Sequence, residues 1–109
     1  MYRIEITEPA KRDLQETVDY ITRELKNPQA AVELLNLVEQ TINSLTDMPM
    51  RHALVGIDDF AEKGVRYIPV GNYLAFYIVK ESDRKVSVIR FLYGRRDWMN
   101  LLNRENDLS

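Results

Sequence analysis

The sequence contains no cysteine and a single histidine, His52, in 109 residues. Without cysteine the chain cannot form disulfides, thiolate nucleophiles or sulfur-ligated metal sites, and this composition agrees with a cytoplasmic protein. A single histidine argues against zinc sites built on histidine pairs and against catalytic triads that need another positioned base. His52 therefore stands alone as a possible general base.

Long apolar runs are also absent. A membrane-spanning helix needs about 20 consecutive apolar residues, and the apolar runs here are far shorter, while 29% of the residues are charged. The first seven residues alternate polar and apolar side chains, which predicts a strand and not a signal peptide. We expect a protein that stays in the cytoplasm and does not enter a membrane.

Motifs that carry well-known chemistry are missing as well. The chain has no nucleophile elbow, P-loop or dinucleotide-binding fingerprint, and its four serines have no setting suited to a nucleophile. Asp58, Asp59 and Glu62 offer carboxylates for a hard cation, but such an ion takes about six or more oxygen ligands. Three acids in a loop fit a solvated surface better, so the sequence predicts no metal and no cofactor.

The charge of the chain is distributed unevenly. Residues 1–50 hold five Lys/Arg against nine Asp/Glu, whereas residues 51–109 hold ten against eight, for a net charge of -2. Arginine binds phosphates or carboxylates through paired hydrogen bonds, and aromatic rings stack on bases or fill partner pockets. The second half therefore predicts a surface that binds an anionic target. The residues on which this prediction depends are a subset of the basic residues and the aromatic residues between them: Lys63, Arg66, Tyr67, Arg90, Tyr93, Arg95, Arg96 and Trp98.

Most of these residues have a structural alternative. Arg66 and Arg90 can be outward-facing strand residues that pair weakly with Glu62 or Glu81. The paired arginines at 95 and 96 can form a solvated turn, and the apolar segment 98–102 can pack back onto the sheet. Ring packing in the core or on the sheet is the alternative for Tyr67, Tyr73, Phe76 and Tyr77.

Hydrophobic periodicity predicts one strand followed by two helices. Alternation over residues 2–7 indicates the strand. Thr7 can cap a helix that carries an acid and a proline in its first turn and continues to about Leu25. The dipeptide Asn27-Pro28 repeats this start signal, and the second apolar stripe ends at Pro49.

The second half of the chain predicts a loop and three strands. Residues 50–64 lose all periodicity and indicate a surface loop. Strands follow at 65–70, where Pro69 suggests an edge, at 73–79, which is apolar on both faces and therefore central, and at 85–93. The order β-α-α-β-β-β predicts an α+β fold, a helix hairpin packed on a mostly antiparallel sheet. We expect residues 1–109 to form one domain, with a frayed tail at 103–109.

Two segments resemble a known family. The hairpin 66–77 (RYIPVGNYLAFY) and the ending 89–97 (IRFLYGRRD), together with the element order, resemble the RelE/ParE toxin superfamily of bacterial type II toxin–antitoxin systems. The resemblance implies a growth inhibitor of the kind linked to plasmid stabilization. Such toxins are silenced by a cognate antitoxin, and they act either on DNA gyrase or on messenger RNA in the ribosome.

Two departures from the family pattern favour one branch. RNA-cleaving members carry an arginine in the central strand at the position of Leu74 and a histidine at the position of Tyr93. Losing that arginine removes a group that would stabilise the transition state. A phenol in place of the histidine is a poor general base because its pKa is about 10. The resemblance therefore favours a ParE-like inhibitor of DNA gyrase.

Two alternatives remain open: a RelE-like ribosome-dependent mRNA endoribonuclease, and a degenerate module that only binds antitoxin. If the chain is an enzyme, the candidate catalytic residues are Arg66, Arg90, Tyr93, Arg95 and Arg96. Candidate residues for binding nucleic acid or another target are Lys63, Arg66, Arg95, Arg96 and Trp98.

Overall fold

The computed structural model describes residues 1–56 and 61–94. The elements follow the predicted order β-α-α-β-β-β and confirm the α+β fold class. They are β1 (Arg3–Ile6), α1 (Glu8–Asp19), a π-helical turn (Tyr20–Glu24), α2 (Pro28–Asn43), β2 (Val65–Val70), β3 (Tyr73–Lys80) and β4 (Lys85–Tyr93).

Both helices begin where the sequence predicts. The Thr7 side chain accepts a hydrogen bond from the backbone N–H of Ala10 at 3.4 Å, and Asn27 Oδ1 accepts one from Ala30 at 3.1 Å. In each helix a proline occupies the first turn, where its missing N–H costs nothing. No helix within the described residues is long and apolar enough to cross a bilayer.

The helix ends differ from the prediction in two ways. At the end of α1 the backbone widens into the π-helical turn, where the N–H of Leu25 donates to the carbonyl of Tyr20 at 3.1 Å. Helix α2 ends at Asn43 and not at Pro49, and a short 3₁₀ turn (Ser44–Thr46) follows. The physical reason is local, because the hydroxyl of Thr46 donates to the carbonyl of Asn43 at 2.9 Å and tightens the chain.

The four strands form one sheet in the order β1-β4-β3-β2. The β1 strand runs parallel to β4, and the other two pairings are antiparallel. As predicted, β3 is a central strand, and β2, which contains Pro69, is an edge strand. The fold thus brings the first and the last of the described strands side by side.

Each face of the sheet has its own apolar cluster. The cluster on the helix-covered face joins the sheet to α1, α2 and the 3₁₀ turn and includes Ala10, Val38, Ile42, Leu45, Ile68, Val70, Ala75, Tyr77, Val86, Val88 and Phe91. The cluster on the far face consists of Val55, Val65, Phe76, Ile89 and Leu92, with Tyr67, Leu74 and Ile78 packed against it.

The segment predicted as a structureless surface loop is partly ordered against β2. The N–H of Val55 donates to the carbonyl of Val65 at 2.8 Å, and the N–H of Tyr67 donates to the carbonyl of Ala53 at 3.2 Å. Val55 is fully buried. The loop prediction is wrong for these residues because an edge strand leaves backbone groups unpaired, and residues 53–55 satisfy some of them.

Candidate functional site

Strand β4 changes its partner halfway along its length. Its first half pairs with β1, and the last partners are Ile6 and Val88. Beyond that point Asp13 of α1 takes the place of the strand, because its Oδ2 accepts the N–H of Phe91 at 3.0 Å. The Thr7 hydroxyl donates to the carbonyl of Ile89 at 3.2 Å. Side chains of the α1 segment thus complete the edge of β4.

Arg90 binds this same carboxylate. Its Nε lies 2.6 Å from Asp13 Oδ2 and its Nη2 lies 2.9 Å from Oδ1, with the two side chains only 8% and 11% exposed. The interpretation of Arg90 as an outward-facing residue paired with Glu62 or Glu81 is therefore wrong. The strand register shifts here, since Tyr77 pairs with Val88 while Phe76 pairs with Arg90. An extra residue in β4 breaks the alternation that sequence reasoning assumes.

Arg66 lies in β2 and contacts the segment that precedes this strand. Its Nη1 donates to the carbonyl of His52 at 2.6 Å, which joins the edge strand to residues 52–54. Arg66 is half-buried, so its side chain is not fully exposed to solvent. No carboxylate of Glu62 or Glu81 lies within ion-pair distance of it among the described residues.

The single histidine packs against a buried tyrosine. The rings of His52 and Tyr77 meet edge to face with centroids 6.4 Å apart. Burial, followed by the nearby charges of Arg51 and Arg66, lowers the pKa of His52. Its Nε2 is buried and has no hydrogen-bond partner within the described part of the chain. A nitrogen without solvent access is poorly placed to act as a general base.

Tyr77 anchors the centre of β3 to the segment after α2. Its hydroxyl donates to the carbonyl of Pro49 at 2.6 Å, and the side chain is fully buried. Burial raises the pKa of Tyr77 to about 12. The residue is a neutral structural anchor, in agreement with the predicted core packing.

Tyr93 lies at the rim of a cavity of about 540 Å³. Its ring meets Tyr73 edge to face at 5.4 Å, and Tyr73 stacks on Phe91 at 5.1 Å. Burial raises the pKa of Tyr73, and the neighbouring phenols of Tyr93 and Tyr20 add to this shift. The cavity is lined by Asp13, Glu16, Thr17, Tyr20, Leu25, Tyr73, Phe91, Leu92 and Tyr93.

Sequence reasoning missed the helical side of this cavity. The sequence predicted a helix that continues to about Leu25, whereas α1 ends at Asp19 and both Leu25 and Tyr20 are 56% exposed. The π-helical turn shifts the residues after Asp19 relative to the 3.6-residue period, which explains the error. One sequence signal could have found them. Tyr20 is an aromatic residue that lies outside the apolar stripe of the first helix, so its ring is not needed in the core.

The remaining candidates divide into exposed and undescribed residues. Lys63 is exposed in the turn before Gly64. Arg95, Arg96 and Trp98 lie outside the described residues, as do Asp58 and Asp59 of the considered cation site, so the roles given to them stay predictions. Within residues 1–56 and 61–94 there is no group of three or more metal-ligating side chains.

Leu74, where the resemblance implies an arginine in RNA-cleaving members, belongs to the far face. It packs with Tyr67 and Ile78 against a buried cluster that includes Phe76 and Ile89. A buried or half-buried apolar surface stabilises the fold and binds other apolar surfaces, but it does not stabilise charge.

Similar proteins with solved structures share this fold. The chromosomal ParDE toxin–antitoxin system from P. aeruginosa matches with a TM-score of 0.68 and 18% identity over 85% of this chain and 96% of that one. The RelBE2 toxin–antitoxin complex from Mycobacterium tuberculosis matches with a TM-score of 0.58 and 22% identity over 84% and 90%. The archaeal RelE–RelB complex from Pyrococcus horikoshii matches with a TM-score of 0.57 and 16% identity over 87% and 97%. At such identities the likeness shows the fold alone.

Sequence comparison identifies the family. Comparison with the curated proteins gave no match. The model of the ParE toxin of the type II toxin–antitoxin system, parDE, matches residues 4–98, which is most of the chain. The protein therefore belongs to the ParE toxin family of type II toxin–antitoxin systems.

Proposed function

We propose that this protein is a ParE-like growth inhibitor that acts on DNA gyrase, and thereby on replication, in the cytoplasm. The observation that carries this proposal is the apolar surrounding of Leu74 on the far face of the sheet. A ribonuclease of the related branch would need a cation at that position to stabilise the phosphorane. A toxin that acts by binding has no such requirement.

The described polar groups support the same conclusion. Arg90 is held in a buried bidentate ion pair, and an arginine in that setting is costly to withdraw. His52 turns its free nitrogen away from solvent. Tyr93 is accessible, but a phenol is a poor general base. A complete acid–base pair is not assembled among the described residues.

A cognate antitoxin is the second part of the proposal. The solved structures with the same fold include a ParDE system and RelBE toxin–antitoxin complexes. The helix hairpin also exposes several large apolar side chains that such a partner would cover. They are Tyr20, Leu25, Val32 and Leu35. A toxin and antitoxin pair of this kind would stabilise a plasmid that carries it.

A RelE-like endoribonuclease is the second candidate function, because of Tyr93. This residue is 36% exposed and lies beside an open cavity, where a nucleotide can reach it. Its hydroxyl can donate a hydrogen bond at the position of the family histidine. In that case the chain would be a ribosome-dependent mRNA endoribonuclease. A module that only binds antitoxin is the third candidate.

The experiment compares the two targets directly. Purified full-length protein is added to gyrase with supercoiled DNA and, separately, to ribosomes translating a defined message. We expect inhibited supercoiling or trapped cleaved DNA, together with intact message. The Arg95→Ala/Arg96→Ala double variant should weaken inhibition, by about 1 to 3 kcal/mol for each well-placed charged contact. Tyr93→Phe should change little.

The opposite pattern would overturn the proposal. Codon-specific cuts in the ribosomal A site that disappear with Tyr93→Phe, alongside unaffected gyrase, would establish the endoribonuclease. In cells, expression of the chain alone should stop growth, and co-expression of the neighbouring small open reading frame should restore it. Normal growth at verified expression would favour the antitoxin-binding module.

A further inference from the structure

The cavity beside the π-helical turn is lined by both carboxylates and aromatic rings. Among the described residues that line it, the charged ones, Asp13 and Glu16, are both acids, and the rings of Tyr20, Tyr73 and Tyr93 share the lining. Aromatic faces carry negative electrostatic potential, so rings and carboxylates attract the same ligand, a cation. The volume of about 540 Å³ is in the range of ligand pockets and exceeds what one side chain needs.

The two acids have different roles. Both oxygens of Asp13 accept hydrogen bonds from Arg90, and Oδ2 also accepts the N–H of Phe91. Asp13 is therefore already neutralised. Glu16, one turn further along α1, is exposed and takes part in none of the ion pairs of the described residues. Its carboxylate is the one that remains to bind an incoming cation.

The aromatic wall is preorganised for such a ligand. Tyr73 is fixed between Phe91, on which it stacks, and Tyr93, which meets it edge to face. Across the cavity, the π-helical turn holds Tyr20 and Leu25 exposed at the end of α1. A rigid aromatic site loses little entropy on binding, because its side chains do not need to be ordered.

We propose that this cavity receives an arginine or lysine side chain of the antitoxin, with the charged group between Glu16 and the tyrosine rings and its aliphatic stem against Leu25. The choice of partner rests on the proposed function, whereas the choice of a cation rests on the charges and rings of the cavity. A guanidinium group suits the site best, since it stacks on rings and pairs with a carboxylate at the same time.

The first test uses the full-length toxin and the protein encoded by the neighbouring open reading frame. Glu16→Gln and Tyr20→Ala change exposed residues, so the fold should remain. Each should weaken the complex about tenfold in calorimetry, while Tyr20→Phe, which keeps the ring, should bind like the parent. Glu39→Gln removes another exposed helical acid and is the matched control. Affinities unchanged in both Glu16→Gln and Tyr20→Ala would overturn the proposal.

The second test needs no antitoxin. N-acetyl-arginine amide is titrated into the full chain while the tyrosine ring signals are followed by NMR, with the uncharged citrulline analogue as control. We expect saturable shifts of Tyr20 and Tyr93 with the arginine probe and none with citrulline. Equal shifts with both probes, or no shifts in either the parent or the Arg95→Ala/Arg96→Ala variant, would overturn the assignment of a cation site.

The chain itself offers a competing occupant, since Arg95 and Arg96 follow shortly after the rim residue Tyr93. If the arginine probe binds only to the Arg95→Ala/Arg96→Ala variant, the cavity belongs to the toxin's own arginines and the antitoxin proposal fails. Growth separates this result from failure of the proposed function. Glu16→Gln should stay toxic yet escape the antitoxin, whereas a loss of toxicity with antitoxin binding retained would make the cavity a target site.

Discussion

The two faces of the sheet are both apolar, but they are held in different ways. Between the sheet and the helical layer, buried polar contacts fix the packing, since Tyr77 bonds to the carbonyl of Pro49 and Arg90 bonds to Asp13 of α1. On the far face, Leu74 and its neighbours pack around Val55 and Phe76, and the rings of Tyr67 and Phe76 lie 6.5 Å apart.

This difference has an energetic meaning. Apolar contacts are non-directional and tolerate exchange between residues of similar volume. A buried hydrogen bond or ion pair tolerates the loss of one partner badly, because the other partner stays buried without compensation. The helix-covered face therefore fixes how the helices sit on the sheet, and the far face can change its residues more freely.

The largest effect should come from Asp13→Ala. It leaves the Arg90 guanidinium buried without its carboxylate and removes the acceptor of the Phe91 N–H, so the free energy of unfolding should fall by about 3 to 5 kcal/mol. Urea unfolding of the full chain measures it. The double variant Asp13→Leu/Arg90→Met should recover much of the loss, and Glu8→Ala at an exposed position of the same helix should cost little.

If Asp13→Ala lowers the free energy of unfolding by less than about 1 kcal/mol, the Asp13–Arg90 pair contributes no more than an exposed ion pair does. The distinction between the two faces would then lose its main support. A double variant as unstable as the single one would instead place the cost in the lost contact to Phe91.

Tyr77→Phe should have the next largest effect. It leaves the Pro49 carbonyl without its donor and should cost about 1 to 3 kcal/mol. The pH dependence provides an independent signature. Because the pKa of about 12 in the folded protein exceeds the ordinary phenol value of about 10, stability is full below pH 10 and declines as the pH rises through 12. Denaturation at alkaline pH should show this decline in the parent, and a decline of equal slope in Tyr77→Phe would contradict it.

Leu74→Met tests the tolerance of the far face. The substitution keeps the volume of a partly buried side chain, so it should cost less than about 1.5 kcal/mol. Gyrase inhibition should persist. Thermal unfolding measures the stability, and a loss as large as that of Tyr77→Phe would show that the far face is as specific as the helix-covered one.

The smallest effect concerns His52, beside Tyr77. Its pKa is lower in the folded protein than the ordinary value of about 6.5, so the unfolded chain binds the proton more readily. Stability is therefore full above that pH and declines as the medium becomes more acidic. The slope between pH 7 and 5 should be shallower in His52→Gln. Identical slopes would show that other groups cause the acid sensitivity.

The sequence predicted those parts of the fold that depend on neighbouring residues. Thr7 and Asn27 are capping residues three positions before the amides that they bind, and Pro69 marks an outer strand because it lacks a donor. Such signals are local and depend on residue type. The order of elements and the bounds of the three later strands followed from periodicity in the same way.

The parts that failed depend on partners far along the chain. Nothing near Arg90 shows that its carboxylate lies 77 residues earlier, and a register shift reverses the alternation on which its orientation was judged. Val55 was predicted to lie in a surface loop because its burial depends on contact with β2, which no neighbouring residue indicates. The cavity escaped detection because Tyr20 and Glu16 of a helix meet Tyr93 of the last strand only in the folded protein.

The parallel pairing of β1 with β4 has a consequence for synthesis. Glu5 and Ser87 are partners 82 residues apart, so at a translation speed of about 5 to 20 residues per second, roughly 4 to 16 seconds separate their appearance. During that interval the first strand has no neighbour, and the sheet closes only after β4 has been made. A nascent chain stopped before residue 85 lacks β4, to which both β1 and β3 pair, so such a copy cannot assemble the four-stranded sheet.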